Sequence, residues 1–449
     1  MIAVLSFNLI LFLFRVFYVV YYPLDLTPEE SQYWDWSRHL DLSCYSKPPM
    51  VAYLNFLTRE IFGVSELAVR ITPIVFSFLL YLLTYLFVKK VFDDRSAIIA
   101  STLPQITIGF GINSLLMTTD APFIFFWSLS LMVLFFAFEK NLFWLWLLAG
   151  FLGGLAFLGK YPAVFLLPCA LLYGIFFRRS LLKDYKPYLS LIPAFLLSLP
   201  VLYWNYRHDF VSFKHVSTLA SKSASLLNFG SFLEFLAGQA LLLSIIPFLL
   251  FFLFFATLSL FKRVEANWSG FSYFSAFVLA SVYLSKSRLL LPSYLLAGFL
   301  FVFLHFTPLL DKVGLGGLLP PHRDPTKAGI GWSQLGEVVS EMRTAQESII
   351  SPHYQISAEL AFYVKRNPRT YCINLGRRMN QYDLWEKNYE GDAIFVDYVP
   401  IDQRVLSASE GIIEERELPI FWRGKEIRKF YIYKLKNLKK VEEEMPGSY

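Results

Sequence analysis

Acidic, basic and aromatic side chains crowd the segment Tyr22–Met50, which directly follows the first apolar run of the chain. Its adjacent carboxylates, Glu29 and Glu30, can bind a cation, or one of them can act as a general base. The same residues also suit the start of a helix, with Thr27 as the N-cap, Pro28 in the first position and acids in the first turn. Both interpretations stay open, because a helix start would also hold the two carboxylates rigidly.

Asp120 is a second candidate acid, in the segment SLLMTTDAPFIFFW, where an apolar stretch begins and no basic residue is near in sequence. An ionised Asp that faces lipid at depth costs about 2.5–3.5 kcal/mol. Its presence therefore indicates either a functional role or a cap for the following helix, since Asp-Ala-Pro is a natural helix start. The sequence alone does not choose between them.

Basic side chains stand at the borders of apolar stretches. Lys47 and Lys160, the latter followed by Tyr161, suit the phosphate or diphosphate of a lipid headgroup. Arg207 can bind phosphate in the same way, and His208 can bind a metal or carry a proton. The ordinary alternatives are lysines that extend to the membrane surface and a structural histidine beside an aromatic belt.

The composition indicates which elements must position these residues. The chain has 449 residues, 55% of them hydrophobic and 18% aromatic, with a mean hydropathy of +0.47. A soluble core of this size cannot absorb so much apolar surface, so lipid must solvate it. The net charge of +6 fits basic loops that face the cytoplasm and gives no indication of nucleic acid. No GxxxxGK, HExxH or GxSxG motif occurs, which favours a donor carried by the membrane.

A spanning helix needs about 20 apolar residues. The first stretch keeps Arg15 and has no cleavage site, so we interpret it as a retained helix. The candidate spans are 2–22, 67–88, 97–115, 121–138, 142–159, 161–177, 187–204, 233–261, 268–285 and 288–310. The sequence thus predicts a polytopic α-helical membrane protein of about ten or eleven spans with a small C-terminal α/β soluble domain.

Basic residues in short loops predict the face of the membrane that each loop occupies. Residues 89–95 and 178–186 mark two cytoplasmic loops. The run 233–261 is long for one span and short for two, so the number of spans stays open. That number decides the side of the C-terminal domain, because an even number of spans returns the domain to the cytoplasm. The conspicuous polar loops share the opposite face: 22–66, the turns near 118–120 and 160, and 205–232.

The chain changes character after about residue 310, where prolines mark a linker and polar residues return. We predict a membrane domain over 1–310, whose external loop 22–66 carries amphipathic helices, a linker over 311–331 and a soluble α/β domain over 332–449. The predicted elements of that domain are helices Trp332–Glu347 and Ser357–Val364 and strands Arg369–Asn374, Ala393–Tyr398 and Lys429–Leu435.

Four segments carry a resemblance to a known family. The first is EESQYWDWSRHLDLSCYSKPPMVAYL, and the second is TTDAPFIFFWSLSL. The third combines LGKYPAVFLLP with PVLYWNYRHDFVSF, and the fourth combines GW, YQISAELAFY and GRRMNQYDLW. Over nearly the whole chain they resemble the lipid-dependent membrane glycosyltransferases of the GT-C class, and within it the bacterial aminoarabinose-transferase and protein O-mannosyltransferase group.

The resemblance implies transfer of a sugar from a polyprenyl-phosphate carrier to a lipid acceptor similar to lipid A, or to a protein, at the periplasmic face of the inner membrane. It also implies that Ser46 replaces an acid of the relatives, so a metal stays unassigned and a divalent cation is left open as a cofactor. The implied catalytic acids are Glu29, which stands where relatives carry Asp, Glu30 and Asp120. The implied donor-phosphate residues are Lys47, Lys160, Tyr161 and His208, to which the charge pattern adds Arg207.

The hypothesis is an inverting transfer in which Glu29 or Asp120 activates the acceptor, while Lys47 and Lys160 stabilise the departing phosphate. One alternative is a lipid-linked sugar transporter or flippase without transfer activity, whose charged residues would line a path through the bilayer. Another is a structural membrane subunit that uses the soluble domain for docking. All three hypotheses predict membrane lipids as partners and predict no binding of nucleic acid.

Overall fold

The computed structural model describes residues 1–221, 273–344 and 346–444. Two compact units form the chain, Met1–Val20 with Asp41–Leu304 and Tyr21–Leu40 with His305–Tyr449. The helices are α1 Ile2–Tyr21, α2 Pro28–Trp36, α3 Met50–Phe62, α4 Glu66–Val91, α5 Asp94–Thr102, α6 Ile108–Asn113, α7 Asp120–Lys140, α8 Phe143–Gly159, α9 Leu166–Phe177, α10 Leu191–Arg207, α11 Val211–Ser221, α12 Tyr273–Leu284, α13 Leu290–His305, α14 Pro308–Lys312, α15 Trp332–Met342, α16 Tyr354–Tyr363 and α17 Gln403–Ser407.

The first unit consists of apolar helices. Within the described ranges, four helical segments are long and apolar enough to cross a membrane, namely α1, α4, α7 and Lys186–Arg207, which contains α10. Shorter apolar helical segments accompany them, namely α8, Tyr161–Phe177, α12 and α13. Aromatic residues such as Phe123 and Trp127 fill the shared core, while many leucines and phenylalanines face outward, as lipid contact allows. The prediction of a polytopic helical membrane protein is confirmed.

The predicted span 97–115 is interrupted in the structure. It consists of α5, a 3-10 turn over Pro104–Ile106 and α6. Pro104 has no N–H to continue the hydrogen bonds of α5, so the chain changes direction there. The predicted span 233–261 and the first residues of 268–285 lie outside the described residues, and the described part of the latter is α12.

The antiparallel helices α7 and α8 have chemically different ends. At one end, the ammonium groups of Lys90 and Lys140 lie over the ring of Phe136, at 5.0 and 5.7 Å from its centroid. At the other end Asp120 opens α7 and Lys160 follows α8. Because a helix rises about 1.5 Å per residue, the ends of the 21-residue α7 are roughly 30 Å apart.

A five-stranded sheet forms the centre of the second unit, in the order β2-β1-β3-β5-β4. β1 is parallel to β2 and β3, and β5 is antiparallel to β3 and β4. The turn between β4 and β5 places Arg423 at φ 48° and Gly424 at φ 75°. Arg423 tolerates this conformation because its buried guanidinium bonds Asp311 and Asp324, at 2.6 and 3.1 Å. The strands are β1 Ser348–Ser351, β2 Thr370–Cys372, β3 Gly391–Asp397, β4 Gly411–Trp422 and β5 Lys425–Leu438.

The predicted elements of the soluble domain are present with shifted bounds. α15 ends at Met342, earlier than predicted, because Glu347 turns to pair with Lys434 at 2.9 Å before β1 begins. α16 begins earlier than predicted, at Tyr354. The predicted strands correspond to β2, β3 and β5, whereas β1 and β4 were not predicted. The predicted division at residues 310 and 331 stays a prediction, and residues 21–40, with α2, pack with residues 305–449.

Candidate functional site

Asp120 and Lys160, 40 residues apart in sequence, form an ion pair where α7 begins and α8 ends. Lys160 Nζ donates a hydrogen bond to Asp120 Oδ1 at 2.6 Å. The side chains of Lys160 and Asp120 are 11% and 15% exposed, so water screens the pair less than it screens a surface pair. The backbone N–H of Asp120 also donates to the Thr118 hydroxyl at 3.3 Å. The fold thus brings a carboxylate and a cation together that the sequence separates.

Gly159 allows this approach, because α8 comes very close to the first turn of α7. A Cβ at Gly159 would lie 3.0 Å from the backbone nitrogen of Phe123 and 3.1 Å from its Cα. Lys160 then leaves the helix in an extended conformation, with φ −159° and ψ 136°. Pro162, in the 3-10 turn that follows, has no N–H with which to continue the hydrogen bonds of α8. Gly159 and this turn therefore set the position of Lys160.

Tyr161 directly follows Lys160 of the ion pair in sequence. Its ring packs against that of Phe213, with 5.5 Å between the centroids. The hydroxyl is buried, and the polar groups that face it are Ser43, Asn205 and Ser212. Tyr161 therefore connects the end of α8 with the loop before α3 and with the α10–α11 corner.

The loop before α3, which carries Lys47, is anchored to α10 and α11. The indole N–H of Trp204 donates to Asp41 Oδ2 at 2.6 Å. The ring nitrogen Nδ1 of His215 lies 3.2 Å from the hydroxyl of Tyr45. Sequence reasoning missed His215 and Tyr45. The histidine in SFKHVST, close to the segment with Arg207 and His208, was the signal that could have led to them. These contacts fix the loop that carries Lys47, whose side chain is partly buried.

Arg207 and His208 occupy the C-terminal end of α10 and do not share one environment. Arg207 is exposed, and its Nη1 donates to the hydroxyl of Tyr203 at 3.5 Å. His208 stacks on Trp204 with 4.0 Å between ring centroids, and its Nδ1 lies 2.9 Å from the Trp204 carbonyl oxygen. The structure thus gives His208 a packing contact, and the donor-phosphate roles of both residues stay predictions.

An apolar cavity of about 500 Å³ opens among α7, α8, α9 and α10. Small residues such as Gly153 and Gly154 line one wall, and the lining resumes at Ala163, shortly after Lys160. Small side chains leave this space open, and its walls present almost only hydrocarbon. A cavity of this chemistry suits an apolar chain.

Glu29 and Glu30, in the second unit, have different surroundings although they are neighbours. Glu30 is buried, and its Oε2 accepts hydrogen bonds from the backbone N–H and the hydroxyl of Thr27 at 3.0 and 3.2 Å. This is a capping box at the start of α2. Glu29 is exposed, and burial together with the charge of Glu29 raises the pKa of Tyr354 to about 12. The helix-start interpretation therefore applies to Glu30. Glu29 faces solvent, and its catalytic role stays a prediction.

Charged residues on α2 and directly after it make contacts within the second unit. The Tyr382 hydroxyl donates to Asp35 Oδ2 at 2.7 Å, and Arg38 pairs with Asp35 at 3.3 Å. Burial raises the pKa of Asp35, while Arg38 and the Tyr382 hydroxyl lower it. The ring of His39 lies 4.4 Å from that of Trp385. These contacts position α2, which carries the two glutamates.

In the part of the chain that the structure describes, no group of three or more His, Cys, Asp or Glu side chains could hold a metal ion. The candidate residues themselves are carboxylates, lysines and a phenol. Lysine side chains can bind phosphate and carboxylates can accept protons, and these roles of the candidate residues stay predictions.

Comparison with known proteins defines the class. Residues 46–204 match the family model described as dolichyl-phosphate-mannose-protein mannosyltransferase, and this range contains Lys47, Asp120, Lys160 and Tyr161. The fold is similar to the crystal structure of ArnT from Cupriavidus metallidurans bound to undecaprenyl phosphate, with a TM-score of 0.62 and 13% identity over 96% of this chain and 97% of that chain. These matches confirm the predicted resemblance to the GT-C class, with the fold of a multi-pass membrane protein.

Two curated sequences are similar to particular parts of the chain. The lipid A galacturonosyltransferase RgtD of Rhizobium johnstonii is 29% identical over 232 residues, which cover 51% of this chain and 48% of RgtD. An uncharacterized protein of Aquifex aeolicus is 32% identical over 160 residues, which cover 34% of this chain and 31% of that protein. The chain therefore matches about half of the length of one curated relative and a third of the other.

Proposed function

We propose that this chain is a membrane glycosyltransferase that moves a sugar from a polyprenyl-phosphate carrier to a lipid acceptor of the lipid A type. The observation that carries the proposal is the Asp120–Lys160 pair at 2.6 Å, because it joins a carboxylate with a phosphate-binding cation inside the segment that matches the mannosyltransferase family. RgtD is named as a lipid A galacturonosyltransferase, which supports the choice of a lipid A type acceptor. The undecaprenyl phosphate bound to ArnT supports the choice of carrier.

In this proposal Lys160 exchanges one anion for another. In the absence of donor it is neutralised by Asp120, and a donor phosphate takes the place of that carboxylate. The acceptor oxygen then forms a bond to the anomeric carbon of the sugar, and the bond from that carbon to the phosphate oxygen breaks. The electron pair leaves with the carrier phosphate, whose charge Lys160 and Lys47 stabilise. The acceptor proton passes to a carboxylate, either Asp120 or Glu29.

The remaining predicted residues receive narrower roles in the proposal. Glu30 fixes the start of α2 by its capping bonds, and the solvent-facing Glu29 takes part in catalysis. Tyr161 contributes a hydroxyl for the phosphate. Arg207 and His208, at the end of α10, assist donor binding from the periphery.

The apolar cavity among α7 to α10 supports a carrier with a long hydrocarbon chain. Its volume of about 500 Å³ lies within the usual range for a ligand pocket. Its lining resumes at Ala163, within the 3-10 turn that follows Lys160. We assign it to the first isoprene units of the carrier, with the phosphate at Lys160.

We place the reaction at the periplasmic face of the inner membrane. The end of the first unit with Lys90 and Lys140 carries the cations typical of the cytoplasmic side. Asp120 and Lys160 lie at the other end of the same helices.

The test uses the purified full chain in lipid nanodiscs with a panel of polyprenyl-phosphate sugars and a lipid A acceptor. Mass spectrometry measures the free carrier phosphate and the glycosylated acceptor. Asp120→Ala, Glu29→Ala and Glu30→Ala should each abolish transfer while the protein still inserts into membranes. Glu60→Ala, at an exposed glutamate of α3, is the control and should keep full activity.

Two results would reject the proposal. Full activity of Asp120→Ala would remove the assigned role of the ion pair. Movement of labelled lipid-linked sugar across proteoliposomes, without release of carrier phosphate under any condition, would instead identify a flippase.

A further inference from the structure

A buried carboxyl group on α16, Glu359, connects the C-terminal part of the chain with α2. The two helices pack against each other, and the Ser31 hydroxyl donates to Glu359 Oε2 at 2.6 Å. Both residues are almost completely buried. Among the described residues, Glu359 Oε1 has no hydrogen-bond partner. The bond to Ser31 is therefore the polar contact through which this carboxyl group acts on α2.

The groups that face Glu359 come from several elements of the second unit. Asp25 precedes α2, Glu30 lies on α2 and Arg428 lies on β5, while Tyr398 follows β3. Burial raises the pKa of Glu359 well above its usual value, the charges of Asp25 and Glu30 raise it further, and Arg428 lowers it. The folded protein therefore favours the uncharged acid at this position.

We propose that Glu359 is a positioning residue that holds α2, through its hydrogen bond to Ser31, so that the first turn keeps Glu29 and Glu30 in place. The inference rests on the proposed function, in which Glu29 takes part in catalysis. Ser31 directly follows Glu30, so a displacement of Ser31 displaces both glutamates. Ionisation of Glu359 would add a negative charge beside Asp25 and Glu30, and the repulsion would separate α2 from α16.

The direction of the pH effect follows from the raised pKa of Glu359. Above the ordinary value of 4.5 the unfolded chain loses this proton, whereas the folded chain keeps it. The contribution to stability is complete in acid and is lost as the pH rises through the raised pKa of the folded state. The melting temperature of the wild type should therefore fall on the alkaline side. Glu359→Gln cannot ionise and should remove this part of the fall.

Hydrogen exchange of the full chain in detergent, followed by mass spectrometry of the peptide that covers residues 28–36, tests the proposal directly. Wild type and Glu359→Gln are compared at the same pH, so the intrinsic exchange rate cancels. We expect equal protection in acid, and exchange about tenfold faster in the wild type than in the variant once the pH has risen through the raised pKa of Glu359. Glu337→Gln, at an exposed glutamate of α15, is the matched control and should behave as the wild type.

Activity supplies the second readout. Glu359→Ala leaves Ser31 without its acceptor and should lower kcat more than it changes KM for the sugar donor. Glu359→Gln should retain kcat at neutral pH and lose less of it than the wild type as the pH rises further. Equal protection of wild type and Glu359→Gln over the whole pH range in which the protein stays folded would overturn the proposal. Absence of any sugar transfer by the wild type would reject the proposed function, and the exchange experiment would still decide whether Glu359 holds α2.

Discussion

The Asp120–Lys160 pair can be tested by a double-mutant cycle. Asp120→Asn and Lys160→Met each remove one charge with little change in side-chain volume, and the double variant removes both. Each single variant removes one member of the ion pair and leaves the charge of the other, where the side chains are only 11–15% exposed. The double variant leaves none. The three proteins therefore separate the cost of an isolated charge from the value of the pair itself.

The expected magnitudes lie between two known limits. Breaking a fully buried pair costs about 3–5 kcal/mol, and breaking a surface pair costs about 0–1 kcal/mol. For this mostly buried pair we expect each single variant to lose about 2 kcal/mol of unfolding free energy and the double variant about 1 kcal/mol. The coupling energy is then about 3 kcal/mol, because the double variant loses far less than the sum of the single ones.

Thermal unfolding in detergent, with the four proteins measured side by side, provides the assay. We expect melting temperatures lower by about 4 °C in the single variants and by about 2 °C in the double variant. The Lys89–Asp94 pair, at 2.9 Å but half exposed, is a matched control, and the equivalent cycle there should show little coupling. Additive losses at Asp120 and Lys160 would refute the reasoning that they share a weakly screened environment. In the transfer assay, Asp120→Asn should lower kcat by about 10²–10⁴ if it is the base.

Three further expectations concern the surroundings of the site. Gly159→Ala should force α8 away from the backbone of α7, lower the unfolding free energy by about 1–3 kcal/mol and reduce transfer, as melting curves and initial rates would show. Unchanged values for both would mean that the helices do not meet there. Tyr382→Phe should cost about 1–3 kcal/mol at neutral pH, because it leaves the buried Asp35 short of a donor, and less in acid as Asp35 takes up a proton; a loss that does not depend on pH would contradict this. Trp204→Phe removes the indole N–H that donates a hydrogen bond to the exposed Asp41. The affinity for the sugar donor should therefore weaken while the melting temperature hardly changes. A lower melting temperature with unchanged affinity would argue for a purely structural bond.

The helices that cross the membrane were predictable because apolar length alone defines them. The predicted spans 2–22, 67–88 and 121–138 correspond to α1, α4 and α7 within a few residues. The break at Pro104 was not predicted, since a proline in a membrane helix is often accommodated by neighbouring helices. β4 escaped because its charged side chains at the edge of the sheet show no alternation between apolar and polar residues.

The candidate residues were visible in the sequence, whereas their partners were not. Asp120 and Lys160 each stood out as charges at membrane borders, but only the return of the chain through α8 brings them together. Glu359 lies in a segment that already carried the family resemblance. Its contact with Ser31 depends on packing between distant parts of the chain, which periodicity and local propensity do not encode.

The bond between Ser31 and Glu359 joins residues separated by 328 positions, and this distance sets an order of events during translation. A ribosome that adds about 5–20 residues per second needs roughly 15–65 s to cover that interval. Throughout that time the nascent segment with Glu29 and Glu30 has emerged without the helix that will cover it. Maturation of this part of the protein is therefore a late step, which cannot be completed before the chain has been made past Glu359.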